Sequence, residues 1–270
     1  MTPRLAKAII NGLMVALAVL SLAPLLWMAS VSFMQPGEAA HFPPPLLPSA
    51  PTLHNYHELF ARAGMGRYLL NSVLIASLTT AIGLLLNTLA GYAFAKLQFK
   101  GRERTFRALL AALVIPAQVA MMPLFLLLKQ MGLVNTYFGA MVPGLAGIFG
   151  IFLVRQYARS LPDELLEAAR IDGATWWRQL LHVTLPMLGP VLLLVSILTM
   201  AGYFQLFAEP YVITQGGPLQ STVSVLYMMY DEGFKWWNLG NASAVAFLLF
   251  LLMTATTSGL LWFARKRGVE

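Results

Sequence analysis

Six stretches of this sequence are apolar over lengths that carry a helix across the roughly 30 Å of bilayer hydrocarbon: residues 8–31, 69–95, 108–128, 138–154, 187–207 and 241–264. In hydrocarbon no water satisfies backbone N–H and C=O groups, so stretches of this kind are restricted to helices or a closed barrel. Runs of this length are helical. Hydrophobic residues make up 58% of the chain and charged residues 11%, against about 25% charged in soluble domains. The expected fold is therefore an all-α membrane protein with six transmembrane helices. Arg4 and Lys7 before the first run resemble the start of a signal peptide. That run exceeds the roughly 7–15 apolar residues of such a signal, and no small-residue cleavage site closes it, so it reads as an uncleaved span. The fourth stretch is short, and Gly139, Gly144, Gly147 and Gly150 predict close helix contact there instead of lipid exposure.

The charges orient these spans. Lys and Arg collect on the cytoplasmic side of membrane proteins. With the N-terminus inside, 14 of the 18 basic residues fall in inside segments, and only Arg62, Arg67, Lys129 and Lys235 lie outside. The acids divide six to five, so the asymmetry belongs to the cations. Both termini are expected in the cytoplasm, and the net charge of +7 requires no nucleic-acid partner. With no cysteine in the chain, disulfides, thiolate chemistry and a Cys-ligated metal are excluded. Two outside segments, 32–66 with "HFPPPLLP" and 208–240 with "TQGGP", read equally as connectors or as docking surfaces for an external partner.

The longest inside segment, 155–186, has its own helix punctuation. Ser160 and Asp163 stand at capping-box spacing, and Pro162, Asp163 and Glu164 suit a first helical turn. Gly173 offers the left-handed position that closes a helix, and Thr175 can cap a second one running to Pro186. The result is helix, hinge, helix. The small residues Ala168, Ala169, Gly173 and Ala174 permit close approach of another surface. On physical grounds alone, packing against the chain's own membrane helices is the simpler explanation.

The pattern Glu167-Ala168-Ala169, three residues, Gly173, nine residues, then Val183-Thr184-Leu185-Pro186 resembles the EAA loop of ABC importer permeases, with Val183 replacing Ile. "DGAT" at 172–175 is similar to the carbohydrate-importer branch, and the likeness extends from about Asn71 to the C-terminus, "AGYAFAKLQFKGR" included. The resemblance implies a first transmembrane helix and extracytoplasmic loop over 1–66 and a permease core over 67–270, with the coupling loop between the fourth and fifth helices. It implies that Glu164, Glu167, Ala168, Ala169, Asp172, Gly173 and Ala174 meet a cytoplasmic ATPase. The implied partners are a homologous second permease, two ATP-binding cassette subunits and an extracytoplasmic solute-binding protein, in a prokaryotic cytoplasmic membrane. No phosphate-binding loop, His pair at ligand spacing or nucleophile motif appears, so no metal or cofactor is expected on this chain; ATP and magnesium would belong to the ATPase.

Polar residues inside spans are expensive and face either a pathway or a neighbouring helix. Asn71, Asn87, Gln118 and Gln205 are such residues, with Gln118 between Pro116 and Pro123, whose kinks can expose backbone groups to a cavity. Tyr203 and Glu209 lie near the outer end of the fifth span, and Tyr92, Phe204 and Phe207 supply rings that can stack on a sugar. Asn71, Gln118, Tyr203 and Gln205 are the expected path residues. The resemblance points to a sugar or related solute, glycerol phosphate and polyols among them. A stand-alone facilitator is the competing class.

Overall fold

A computed structural model describes residues 3–217, 220 and 222–268, and among these every regular element is helical. The thirteen α-helices are α1 Pro3–Ser32, α2 His54–Ala61, α3 Met65–Lys96, α4 Arg102–Ala112, α5 Ala117–Gln130, α6 Tyr137–Met141, α7 Ile148–Ser160, α8 Glu164–Ile171, α9 Trp176–Gln179, α10 Leu185–Met187, α11 Gly189–Phe204, α12 Val225–Tyr230 and α13 Leu239–Lys266. Wider π-helical turns occupy Leu180–Thr184, Pro210–Thr214 and Asp231–Lys235. The chain forms two compact units, Met1–Tyr68 with Val225–Leu251, and Leu69–Ser224 with Leu252–Glu270.

Three of the expected spans are continuous helices: Ile9–Ser32, Met65–Lys96 and Leu239–Lys266. The other three are bent pairs. α4 meets α5 at 104°, α6 with its 3-10 turn meets α7 at 43°, and Trp176–Met187 meets α11 at 73°. The span expected over 108–128, with kinks at its two prolines, is in two pieces, and the break falls at Pro116. After α4 the chain tightens into i→i+3 bonds through Ile115, and Pro116, which has no N–H to continue the ladder, sits extended at ψ 132°. Pro123 lies inside α5 without ending it.

The first unit is closed around the C-terminal end of α1. Val31, Met34 and Ala39 are buried, with Trp27 and Leu239 packed on them. The fully buried Asn55 donates from Nδ2 to the carbonyls of Ser32 and Met34, at 3.0 Å each. The proline-rich segment takes an open path and lends its carbonyls to α1, Trp27 Nε1 donating to Pro45 and Ser30 Oγ to Leu46. Glu38 accepts backbone N–H bonds from Gln35 and Ser49, which hold its carboxyl below the ordinary range.

The second unit packs α7 and α11 around Val154, Ala158, Leu188, Val191 and Val195. The glycines of 138–154 do what their pattern predicts. A side chain at 150 would lie 2.5 Å from Asn87 Nδ2, and one at 144 would occupy the place of the Tyr203 hydroxyl; outside that range, one at 91 in α3 would lie 2.6 Å from Val154 Cβ.

Candidate functional site

α8 starts one residue after Asp163, as the sequence suggests, but the expected capping box does not form. Ser160 is the last residue of α7, and its hydroxyl donates to the Tyr157 carbonyl, so it is spent on the helix it ends. Thr175 precedes α9 in extended conformation without a side-chain cap bond. The C-terminus is as expected. Gly173 has φ +78°, its N–H donates to the Arg170 carbonyl at 3.0 Å, and Ala174 N–H reaches back to Ala169 at 2.9 Å. These are the paired bonds of a Schellman motif, which needs a left-handed residue at this place. Further on, Pro186 cannot donate to the carbonyl four residues back. The chain widens into the π turn Leu180–Thr184 just before it, which keeps Trp176–Met187 running.

The surface of α8 decides between the two explanations of its small residues. At 100° per residue, Glu164, Leu165, Ala168, Ile171 and Asp172 share one stripe, and all five are exposed. Ile171 is 87% and Leu165 43% exposed. Leu166 and Ala169, on the opposite side, are partly buried. No residue of α8 is fully buried, and a side chain at Gly173 would meet nothing within 4 Å. Packing against the chain's own helices therefore accounts for Ala169, and not for Ala168 or Gly173. Glu167 is exposed at the edge of the stripe, and Ala174 is partly buried. Ile171 and Leu165 were not singled out by the sequence. The available signal was an isoleucine at the end of a short amphipathic helix, seven residues after Glu164.

Two basic side chains at the base of α8 are turned inward. Lys96 Nζ lies 2.6 Å from Asp163 Oδ1 and donates to the Leu161 carbonyl at 2.7 Å. Arg155 donates from Nη2 to Glu103 Oε1 at 2.7 Å and from Nε to the Phe94 carbonyl, and its guanidinium lies 3.8 Å over the Phe106 ring. Arg155 is 5% exposed, which such a charge sustains only with partners of this kind.

The four expected path residues are not brought together. Asn71 is buried and accepts from the Tyr137 hydroxyl at 3.0 Å. Gln118 and Gln205 are exposed. Tyr203 lines a cavity of about 260 Å³ with Asn87, Phe149, Thr199 and the glycines 144, 147, 150 and 202. Asn87, buried with Oδ1 unpartnered, joins Tyr203 there.

The chain is thus an all-helical membrane protein in which a short exposed helix, closed by a Schellman glycine, lies between apolar helices. Residues 83–268 match the model of the family described as "Binding-protein-dependent transport system inner membrane component", and the chain belongs to that family, the membrane permeases of ABC importers. The arabinooligosaccharides transport system permease protein AraQ of Halalkalibacterium halodurans is 37% identical over 64% of this chain and 62% of its own length. The diacetylchitobiose uptake system permease protein NgcG of Streptomyces coelicolor is 34% identical over 84% of this chain and 78% of its own length. Among solved structures, a bacterial ABC transporter that imports the acidic polysaccharide alginate has a chain of the same fold. The TM-score is 0.81 at 18% identity, covering 97% of this chain and 96% of that one. A chain of the MetNI methionine ABC transporter matches with TM-score 0.60 at 17% identity over 74% of this chain and 94% of its own.

Proposed function

We infer that this chain is one permease subunit of an ATP-driven, binding-protein-dependent importer of a sugar or related solute, and that α8 is the helix through which ATPase motion enters it. The observation that carries this reading is the exposed stripe Glu164, Leu165, Ala168, Ile171 and Asp172 on a helix of a membrane protein. Leu165 and Ile171, 43% and 87% exposed, together with Ala168 give the stripe an apolar centre that a partner surface can cover. Ala168 lets the covering surface come close to the backbone, and Glu164, Glu167 and Asp172 supply charge at the rim. The sugar class is supported by relatives named for arabinooligosaccharides, diacetylchitobiose and, at 38% identity, lactose.

The complete importer holds a homologous second permease, two ATP-binding cassette subunits and an extracytoplasmic solute-binding protein in a prokaryotic cytoplasmic membrane. The chain itself is non-catalytic; ATP and magnesium are bound by the cassette subunits. Closure of those subunits displaces α8 and shifts the helices between inward-open and outward-open states. ATP drives this only through its different affinity for the two states. The cavity at Tyr203 and Asn87 is where this chain meets the solute path, its ring, hydroxyl and amide matching a sugar's faces and hydroxyls.

The test is uptake into proteoliposomes carrying the four kinds of subunit, with labelled sugars, a polyol and glycerol phosphate, comparing the native chain with Ala168→Trp. Ala168 is exposed on a regular helix, so the substitution changes this chain's own stability by less than about 0.5 kcal/mol. Overpacking at the covered surface costs about 1–3 kcal/mol of docking. ATP-dependent uptake of one sugar, lost in Ala168→Trp together with ATPase co-purification, is the expected result. Uptake that continues without ATP would establish a facilitator instead.

A further inference from the structure

Lys96 is the last residue of α3, yet its side chain is only 9% exposed. A lysine at the end of a spanning helix ordinarily extends its ammonium into water. Here Nζ enters the joint between α7 and α8, where it meets the carbonyl of Leu161, the residue that closes α7, and the carboxylate of Asp163, the residue that opens α8. Between those two stands Pro162, and Leu161 is extended at ψ 130°, so the covalent connection is a bend with no backbone ladder across it.

Asp163 is itself diverted from its usual partner. At the N-cap of a helix an aspartate ordinarily accepts a backbone N–H of its own first turn. Asp163 makes no such bond, and its oxygen is given to Lys96, 67 residues away in sequence. In the same last turn of α3, the Phe94 carbonyl accepts from Arg155 of α7, which also holds Glu103 of α4. The end of α3 is thus tied to α7, α8 and α4. The same helix carries Asn87, a wall of the cavity.

The geometry points to Lys96 as a positioning residue that couples α8 to α3, so that displacement of the coupling helix is delivered to the wall of the solute path through the Lys96–Asp163 bridge as well as through the chain. This rests on the importer reading above. Without the bridge, α8 can still dock and the ATPase can still turn over, but α8 pivots at Leu161 and Pro162 without moving α3.

The experiment measures solute taken up and ATP hydrolysed by the same proteoliposomes of the complete importer. Lys96→Met is expected to lower solute moved per ATP by about five-fold or more, the low end of an inter-site coupling energy, while the cassette subunits still co-purify. Asp163→Asn, at a carboxylate 72% exposed and so harmless to folding, is expected to lower the same ratio. The reversed pair, Lys96→Glu with Asp163→Lys, is expected to recover part of the ratio lost by either single change, which a purely structural role for each residue would not produce. A native ratio in both Lys96→Met and Asp163→Asn, or a reversed pair no better than the singles, overturns the bridge while leaving the importer intact. Absence of ATP-dependent uptake by the unaltered complex overturns the importer reading, and the bridge with it.

Discussion

Gly173 fills two requirements that the sequence presents as one. Its backbone is left-handed at φ +78°, and its surroundings are open, so conformation and close approach can be separated by substitution. A β-branched residue there costs about 1–2 kcal/mol of backbone strain, whereas asparagine tolerates the left-handed region. Gly173→Val is therefore expected to loosen the last turn of α8, raising hydrogen exchange of the Gly173 and Ala174 amides about ten-fold, with Gly173→Asn changing it much less. Hydrogen exchange of the purified chain in detergent checks this. Equal effects of the two substitutions would remove the Schellman explanation. A tryptophan at 173 combines strain with bulk, which is why Ala168 is the better probe of docking.

At the scale of the element, Arg155 and Glu103 hold α4 against α7, and their burial is unequal. The Arg155 side chain is 6% exposed and that of Glu103 50%. Removing the carboxylate strands a buried cation, whereas removing the cation leaves a carboxylate that water can solvate. Glu103→Ala is therefore expected to cost about 3 kcal/mol, more than Arg155→Met, and the double substitution to recover part of that loss. Midpoints of thermal unfolding in detergent give the order, and a reversed order would show that the ring of Phe106 and the Phe94 carbonyl carry the cation alone. This joint also marks the limit of what the sequence told. α8 and its closing glycine were legible because a left-handed turn is decided within a few residues, whereas the caps expected at Ser160 and Thr175 do not form. The close contacts of the glycines in 138–154 were legible as a pattern, though not their partners. Kinks at Pro116 and Pro123 were legible, but not that only the first would break the helix. Pro123 has the same chemistry and α5 runs through it, so the break depends on what α4 packs against, including Phe106 on Phe152 and Arg155. The Lys96–Asp163 bridge spans 67 residues and was invisible for the same reason.

For the whole molecule the open quantity is the number of crossings. Three helices are continuous and apolar, and three more crossings exist if each bent pair passes through the bilayer. The two cases agree about the start of the chain and disagree about its end. With the N-terminus inside, α1 places residue 49 outside and α3 returns residue 100 inside in either case. If the bent pairs do not cross, residue 235 stays inside and α13 carries residue 267 out. If each crosses once, residues 129 and 235 are outside and residues 170 and 267 inside. The distribution of cations favours the second case, because the first would place Arg265, Lys266 and Arg267 on the outer face. A chain with no cysteine is suited to the measurement, since each introduced thiol is the sole one. Single changes Ser49→Cys, Lys100→Cys, Lys129→Cys, Arg170→Cys, Lys235→Cys and Arg267→Cys are expected to react with an impermeant maleimide from the outside at 49, 129 and 235, and only after the membrane is opened at 100, 170 and 267. Outside reaction at 267 with protection at 235 would leave three crossings. It would also put Arg170 and Arg267 on opposite sides, although both belong to the same cytoplasmic face in the six-helix arrangement.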